Sequence, residues 1–325
     1  MKRLLVVIIV ATLAYCGWWF YAAHDMRNSV ADWFTEQLTA GVQADYTDLT
    51  VRGFPNRTDL TITDPVLLAA DGSLGWRAPF LQVLGLTYKQ GHVIVAWPDT
   101  QTLTTPNGDI AVASDGLRAS VIHDNGTIVR SNLEALVLNL NGPEVSVALA
   151  DVNLALQNID VTPSSYRVAL SIGSIAASSP EGVPEIGPDS LASLRAEFEL
   201  SLDQPLTFDA LAGAAVQVTD IALTRSEISY GAVTFKVTGN ATLDNAGLAT
   251  GQVTLTAENW RDAIAAARNA GDLPPALSEG LIELLTMLST FGGNRDALDV
   301  TLGLNRGTVL IGPIPVGQLP PLRWR

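Results

Sequence analysis

The chain has 325 residues, a formal net charge of −14 and a single cysteine. Its only lysines are Lys2, Lys89 and Lys236, which excludes a basic stripe for a phosphate backbone and argues against nucleic-acid binding. Cys16 alone excludes an intramolecular disulfide, so the folded part is held by its core.

Met1-Lys2-Arg3 precedes an almost unbroken apolar run over residues 4–23 that ends in Trp18-Trp19-Phe20-Tyr21. About 20 residues at ~1.5 Å each span the ~30 Å hydrocarbon core of a bilayer. Positive charges at one end and aromatics at the other predict a single-pass anchor with the rest of the chain across the membrane. A cleaved signal peptide is the competing reading. It needs small residues at −3 and −1 of a cut site, and the best cut, after Ala23, puts Tyr21 at −3. Lipoprotein processing is disfavoured by Tyr15 immediately before Cys16.

A helix is expected next, capped at Asn28 or Ser29 and running to about Ala40, with Val30, Trp33, Phe34 and Leu38 on one face. It either continues the membrane segment or packs on the first strands. The composition beyond it, rich in Ala, Val, Leu, Thr, Asn and Gly, suits strands and the turns between them. Short strands are expected over 46–51, around Leu60 and Ile62, and over 79–88, 92–96, 110–113, 117–122 and 127–130. His123-Asp124-Asn125-Gly126 signals a hairpin. Longer strands follow over 133–140 and 145–157, separated by Asn141-Gly142-Pro143.

Residues 178–190 are rich in Pro, Gly and Ser and form the expected internal boundary. The chain therefore divides into an anchor (1–23), a β-rich half (24–177), this loop, and a second β-rich half with two helices (191–325). Residues 194–202 and 233–243 alternate strictly between apolar and polar, the pattern of an antiparallel sheet with one buried and one wet face. The chain turns at Asp244-Asn245-Ala246-Gly247 and returns over 248–257. Helices are expected over 258–269 and 276–291, the second ending at Gly292-Gly293. A hairpin through Asn305-Arg306-Gly307 precedes a tail too Pro-rich for a central strand.

No metal-ligand spacing links His24, His92 and His123. The Asp124-Asn125-Gly126 and Asp244-Asn245-Ala246-Gly247 turns lack the remaining ligands of a calcium loop. Gly-x-Ser-x-Gly and phosphate-cradling Gly motifs are absent. No catalytic residue, metal or cofactor is assigned, and the chain is expected not to be an enzyme.

The stretch Asn240-Ala241-Thr242-Leu243-Asp244 through Gly251-Gln252-Val253-Thr254-Leu255 resembles the paired-strand unit of AsmA-like envelope proteins. Within that group, Gly53-Phe54-Pro55 with Arg57, Trp76-Arg77-Ala78-Pro79, and the tail containing Gly312, Pro313, Pro315 and Gly317 look like a bacterial family of single-anchor proteins of unknown function. The resemblance implies a mainly β protein with a few helices, whose extended antiparallel sheet curls into an open groove behind an N-terminal transmembrane helix. Relatives of this architecture are linked to envelope biogenesis or lipid movement. The implied protein sits in the inner membrane with its C-terminal domain in the periplasm. It binds or transfers lipid, or serves as a scaffold that contacts other envelope proteins through a sheet edge or the Trp33/Phe34 helix. The family carries no assigned reaction, so the motif residues are expected to be structural.

Overall fold

The structure, a computed structural model, describes residues 2–159, 164–178, 192–211, 216–231, 233–270, 282, 286 and 297–322. Every registered strand pair is antiparallel, and the fold is mainly β with one long N-terminal helix. The chain forms two compact units. The first comprises Met1–Asn125, Ser131–Ala150 and Ala177–Val183, and the second Gly126–Arg130, Asp151–Ala176 and Pro184–Arg325. Most of the 178–190 loop and of the expected 276–291 helix, with its Gly292-Gly293 end, lies outside the described residues.

Helix α1 (Lys2–Thr39) is continuous over 38 residues, about 57 Å at 1.5 Å per residue. The cap expected at Asn28 or Ser29 is not used. No Gly or Pro lies between His24 and Ser29 to interrupt the helix, and Asn28 Nδ2 bonds His24 Nε2 at 3.0 Å instead. Met26, Val30, Ala31 and Phe34 form the face that packs on the sheet. Trp33 and Leu38, which spacing groups with them, are 40% and 55% exposed. The buried stripe is thus narrower than the hydrophobic pattern, and it leaves Phe34 (4% exposed) unavailable to a partner.

In the first unit, long strands are each interrupted once. The halves are β1 (Gln43–Asp45) and β2 (Asp48–Arg52); β3 (Arg57–Thr63) and β4 (Val66–Leu68); β5 (Gly75–Arg77) and β6 (Phe80–Leu86); β7 (Lys89–Ala96) and β8 (Thr100–Thr105); β9 (Gly108–Asp115) and β10 (Arg118–Asp124). The halves pair into two ladders. One runs β2·β3·β6·β7·β10. The other runs β1·β4·β5·β8·β9 and continues to β11 (Thr127–Asn141). The interruptions line up across the meander as a crease. Pro65, Pro79 and Pro98 sit on it, each lacking the N–H that would extend a ladder. Backbone bonds close it: Thr47 N–H to Thr63, Asp64 N–H to Pro79, and Trp97 N–H to Leu117. Phe34 seals the core of Ala44, Leu49, Leu60 and Ile62 on one face of β1–β3.

The 69–74 turn joins β4 to β5. Asp71 Oδ1 there accepts from Ser73 Oγ (2.6 Å) and Ser73 N–H (3.0 Å). The side-chain bond first, then the backbone bond, holds the Asp71 carboxyl below its ordinary value. Such a depressed group favours the turn above its unfolded pKa and loses that contribution as pH falls through the folded value. Ser73→Ala should therefore raise the Asp71 pKa toward the ordinary carboxylate range in a carbon-detected NMR titration. An unmoved titration would show that the hydroxyl bond is not formed.

The second unit is a meander. β12 (Ser146–Asn158) and β13 (Ser165–Ser178) lead into it. It then takes β14 (Ala192–Leu202), β15 (Val218–Tyr230), β16 (Val233–Leu243), β17 (Ala249–Glu258), β18 (Ala297–Asn305), β19 (Thr308–Ile311) and β20 (Ile314–Gln318). From β13 to β20 each strand pairs with the next. The Pro-rich tail forms β20, an exposed strand paired only with β19 among the described residues. A short helix, α2 (Phe208–Leu211), follows β14, and α3 (Trp260–Ala270) follows β17. Trp260 and Ile264 of α3 pack on Ala257 and Leu298, as helical spacing predicts. The Asn125-Gly126 and Arg306-Gly307 turns carry positive φ at both residues, which tight hairpins need.

Candidate functional site

The Gly53-Phe54-Pro55-Asn56-Arg57 motif is the turn from β2 to β3. Gly53 has φ +102°, and a Cβ there would lie 2.7 Å from the Arg57 Cβ, so only glycine fits. The loop lies against the first half of α1. Trp19 Nε1 donates to Arg57 O at 2.9 Å and Tyr15 Oη donates to Pro55 O at 2.8 Å. Phe54 meets Trp19 edge-on at 5.4 Å and stacks on Phe20 at 5.8 Å. The next turn, from β6 to β7, joins them, because Thr87 Oγ1 donates to Asn56 O at 3.0 Å and lies 3.2 Å from Tyr15 Oη. Trp19 is only 4% exposed. Tyr15, Trp19 and Thr87 have no sequence signal for this role, because 31 to 72 residues separate the partners.

Trp76 and Pro79 stand at the crease, not at this loop. Trp76 Nε1 donates to Gln101 Oε1 at 2.6 Å, and Arg77 pairs with Asp109 at 2.9 Å. Pro79 O accepts the Asp64 N–H at 2.9 Å. Gly312 (φ +58°) and Pro313 form the β19–β20 turn, while Pro315 and Gly317 lie in β20 opposite Leu310 and Val309. The motif residues thus form three separate structural features.

Among the described residues, two concave regions are polar. A cavity of about 570 Å³ on the first unit is lined by Asp48, Thr50, Arg52, Arg57, Asp59, Thr61, Thr63, Gln82 and Leu84. One of about 470 Å³ on the second unit is lined by Asp151, Asn153, Ser171, Ile172, Gly173, Ser193, Arg195 and Glu227. A third, of about 310 Å³, is more apolar, with Leu84, Leu86 and Ile94 beside Gly85, Arg57 and His92. Arg57 is ion-paired with Asp59 at 3.0 Å, and His92 Nε2 contacts Ser120 Oγ at 2.9 Å. Among the described residues, no three His, Cys, Asp or Glu side chains converge as metal ligands.

The most extended chemical feature is one face of the second unit. Register places Val168, Leu170 and Ile172 of β13 beside Phe198, Ala196 and Leu194 of β14. Leu194 and Leu200 face Ile228 and Ile221 of β15. Ile221 and Ile228 meet Ala241 and Phe235 of β16. Val237 and Phe235 meet Leu255 and Ala257 of β17, which meet Val300 and Leu298 of β18. Six strands therefore present one continuous apolar face. The opposite face carries Arg167–Glu199 and Lys236–Glu258 ion pairs and a Thr256–Asp299 bond.

Among the described residues, this apolar face is buried at its ends and only half-buried between them. At one end Tyr166 is 1% exposed and its hydroxyl accepts the Leu206 N–H at 2.9 Å. At the other, α3 covers Ala257 and Leu298. Leu194, Phe198, Leu200, Ile221, Leu223, Val237, Val253 and Leu255 are only half-buried. The cross-strand pair Ile228 and Phe235 is 47% and 37% exposed. Two of the six strands, β13 and β15, were not expected from the sequence. Their signal was present in the alternation of Tyr166, Val168, Leu170 and Ile172, and of Ile221 and Leu223.

The model of a family described as "Uncharacterized protein conserved in bacteria (DUF2125)" matches residues 19–320. No curated protein and no solved structure matches the chain.

Proposed function

The chain belongs to the bacterial DUF2125 family, and on that premise we propose that it is a membrane-anchored, non-catalytic lipid-binding module of the cell envelope. The observation that carries this reading is the half-buried apolar face of β13–β18 in a protein whose first helix is apolar enough to cross a bilayer. Each acyl CH₂ laid on such a surface gains about 0.8 kcal/mol. Some 14 of them gain roughly 11 kcal/mol before entropic costs, so holding a lipid needs no polar motif. The long meander with one oily face is the feature that favours an AsmA-like groove.

Anchoring is favoured over cleavage by packing. A cut after Ala23 would remove Tyr15, Trp19 and Phe20 and strip the 53–57 loop of its partners on α1. With Lys2 and Arg3 on the cytoplasmic side, the β units lie in the periplasm and the anchor in the inner membrane.

The test is lipid occupancy of the full chain extracted in mild detergent, read by phospholipid analysis of the purified protein. Ile228→Gln with Phe235→Gln changes only exposed positions, so the fold should survive. Bound phospholipid should fall by about tenfold, corresponding to ~1.4 kcal/mol of lost binding. Unchanged occupancy in a folded double variant would remove the apolar face as the site.

A scaffolding role is the second reading. It is favoured by β20, all of whose residues are exposed, with Ile314 at 62% and Val316 at 52%. An edge of this kind is a template for pairing with another chain.

A further inference from the structure

We infer that the loop end of the first unit, carried by Phe54 and Tyr88, is a second membrane contact that sits in the lipid headgroup region. The inference rests on the anchor reading above. Helix α1 acts as a ruler along this unit. At one level, Tyr15 and Trp19 hold Pro55 and Arg57. Further along, Phe34 lies on the β1–β3 core. Beyond the helix end, a Cβ on Gly41 would sit 3.7 Å from the Ala70 Cβ in the β4–β5 turn. Twenty residues from Trp19 to Thr39 rise about 30 Å. The unit therefore stands along the helix, with the β2–β3 turn at the bilayer end and the β4–β5 turn at the far end.

With the Trp18–Tyr21 aromatics at the membrane boundary, Phe54 packs on Trp19 and Phe20 at that level, and Tyr15 lies about 6 Å further on the bilayer side. The hydrogen bonds to Pro55 and Thr87 hold both turns at this level. They cannot then stand clear of the surface. Their side chains fit that position. Phe54 is 47% and Tyr88 75% exposed, and aromatic residues favour the boundary between acyl chains and water. Gly53, Phe54, Pro55 and Asn56 carry no charge. Lys89, exposed next to Tyr88, is one of only three lysines in a chain of net charge −14. A long cationic side chain there reaches anionic headgroups while its stem stays with the rings.

The test uses the full chain with Cys16→Ser, reconstituted in phosphatidylethanolamine and phosphatidylglycerol vesicles. Nitroxide labels are placed singly at Ile9→Cys, Tyr88→Cys and Leu74→Cys, and collisions with oxygen and with a water-soluble nickel chelate are compared. Oxygen should dominate at 9 and at 88, and nickel at 74, which is in the β4–β5 turn and 63% exposed. An Ile9 label in water overturns the anchor reading and this inference together. An Ile9 label in lipid with the Tyr88 label in water overturns this inference alone. A Tyr88 label shielded from both reagents means protein contact, from a second copy or another partner, and also overturns it. So does a Leu74 label in lipid.

Discussion

Replacing Trp19 by alanine should destabilise the first unit by about 3–5 kcal/mol, the usual cost of truncating a buried large aromatic. Two losses add. The ring is 4% exposed and contacts Phe54 and Phe20, so its removal leaves a gap between helix and loop. Its Nε1 also satisfies Arg57 O, which would be left without that donor. Thermal unfolding of the full chain in micelles should show the midpoint falling by several degrees. Trp18→Ala is the control, because Trp18 is 43% exposed; its effect should stay within about 0.5 kcal/mol. Equal effects at the two positions would mean that α1 does not clasp the 53–57 loop. Trp19→Phe should fall between them, keeping a ring and losing the hydrogen bond.

A second large effect is expected where strand propensity predicts none. Gly251 in β17 lies opposite Ala241, and a Cβ on it would stand 2.1 Å from Asn240 O and 2.8 Å from the Ala241 Cα. Gly239 is the reciprocal case, at φ +149° and 2.2 Å from Gln252 O. The obstructing atoms are backbone, so no side chain can swing aside. Gly251→Ala should cost about 1–3 kcal/mol, as forced overpacking does, and should weaken the amide-exchange protection of β16 and β17. Gly303→Ala, in the neighbouring β18, meets Leu310 Cβ at 3.6 Å, which is ordinary contact. It should be neutral or slightly stabilising, because alanine restricts the unfolded chain more than glycine. The ranking of these two variants tests the β16–β17 register directly. Equal midpoints in urea would contradict it.

Much of the architecture was legible because period-two patterns report burial directly. Residues 194–202 and 233–243 became β14 and β16 with the expected apolar residues on one face, though that face is half-buried rather than sealed, and the Gly-containing turns fell where their φ angles demand. Helix α3 followed from the spacing of Trp260 and Ile264. The crease did not follow. Val66–Leu68, Gly75–Arg77 and Thr100–Thr105 are short strands beside prolines that read locally as loops, and only their cross-strand partners make them ladders. The continuity of α1 through Asn28 was one of two alternatives that the sequence left undecided, for a related reason. A capping residue stops a helix only if the backbone turns there, and tertiary packing at Phe34 favours going straight on. The Tyr15–Pro55–Thr87 cluster had no local signature at all, since it joins a helix to two turns distant in sequence. The motif residues Gly53 and Phe54 were visible as a pattern, but what they touch was not.

The two polar cavities narrow the lipid reading. Asp48, Arg52 and Asp59 in one, and Asp151, Arg195 and Glu227 in the other, make these hollows poor beds for an acyl chain. The proposed lipid site is therefore the apolar face of β13–β18 and neither of these hollows.

Native mass spectrometry of the full chain, released from its own membranes in a mild detergent and then activated stepwise in the gas phase, tests that proposal most directly. The account predicts phospholipid that persists on the wild-type protein after the micelle is stripped and is lost from the Ile228→Gln, Phe235→Gln variant. Wild-type protein emerging free of lipid, or a variant that retains it equally, would contradict it.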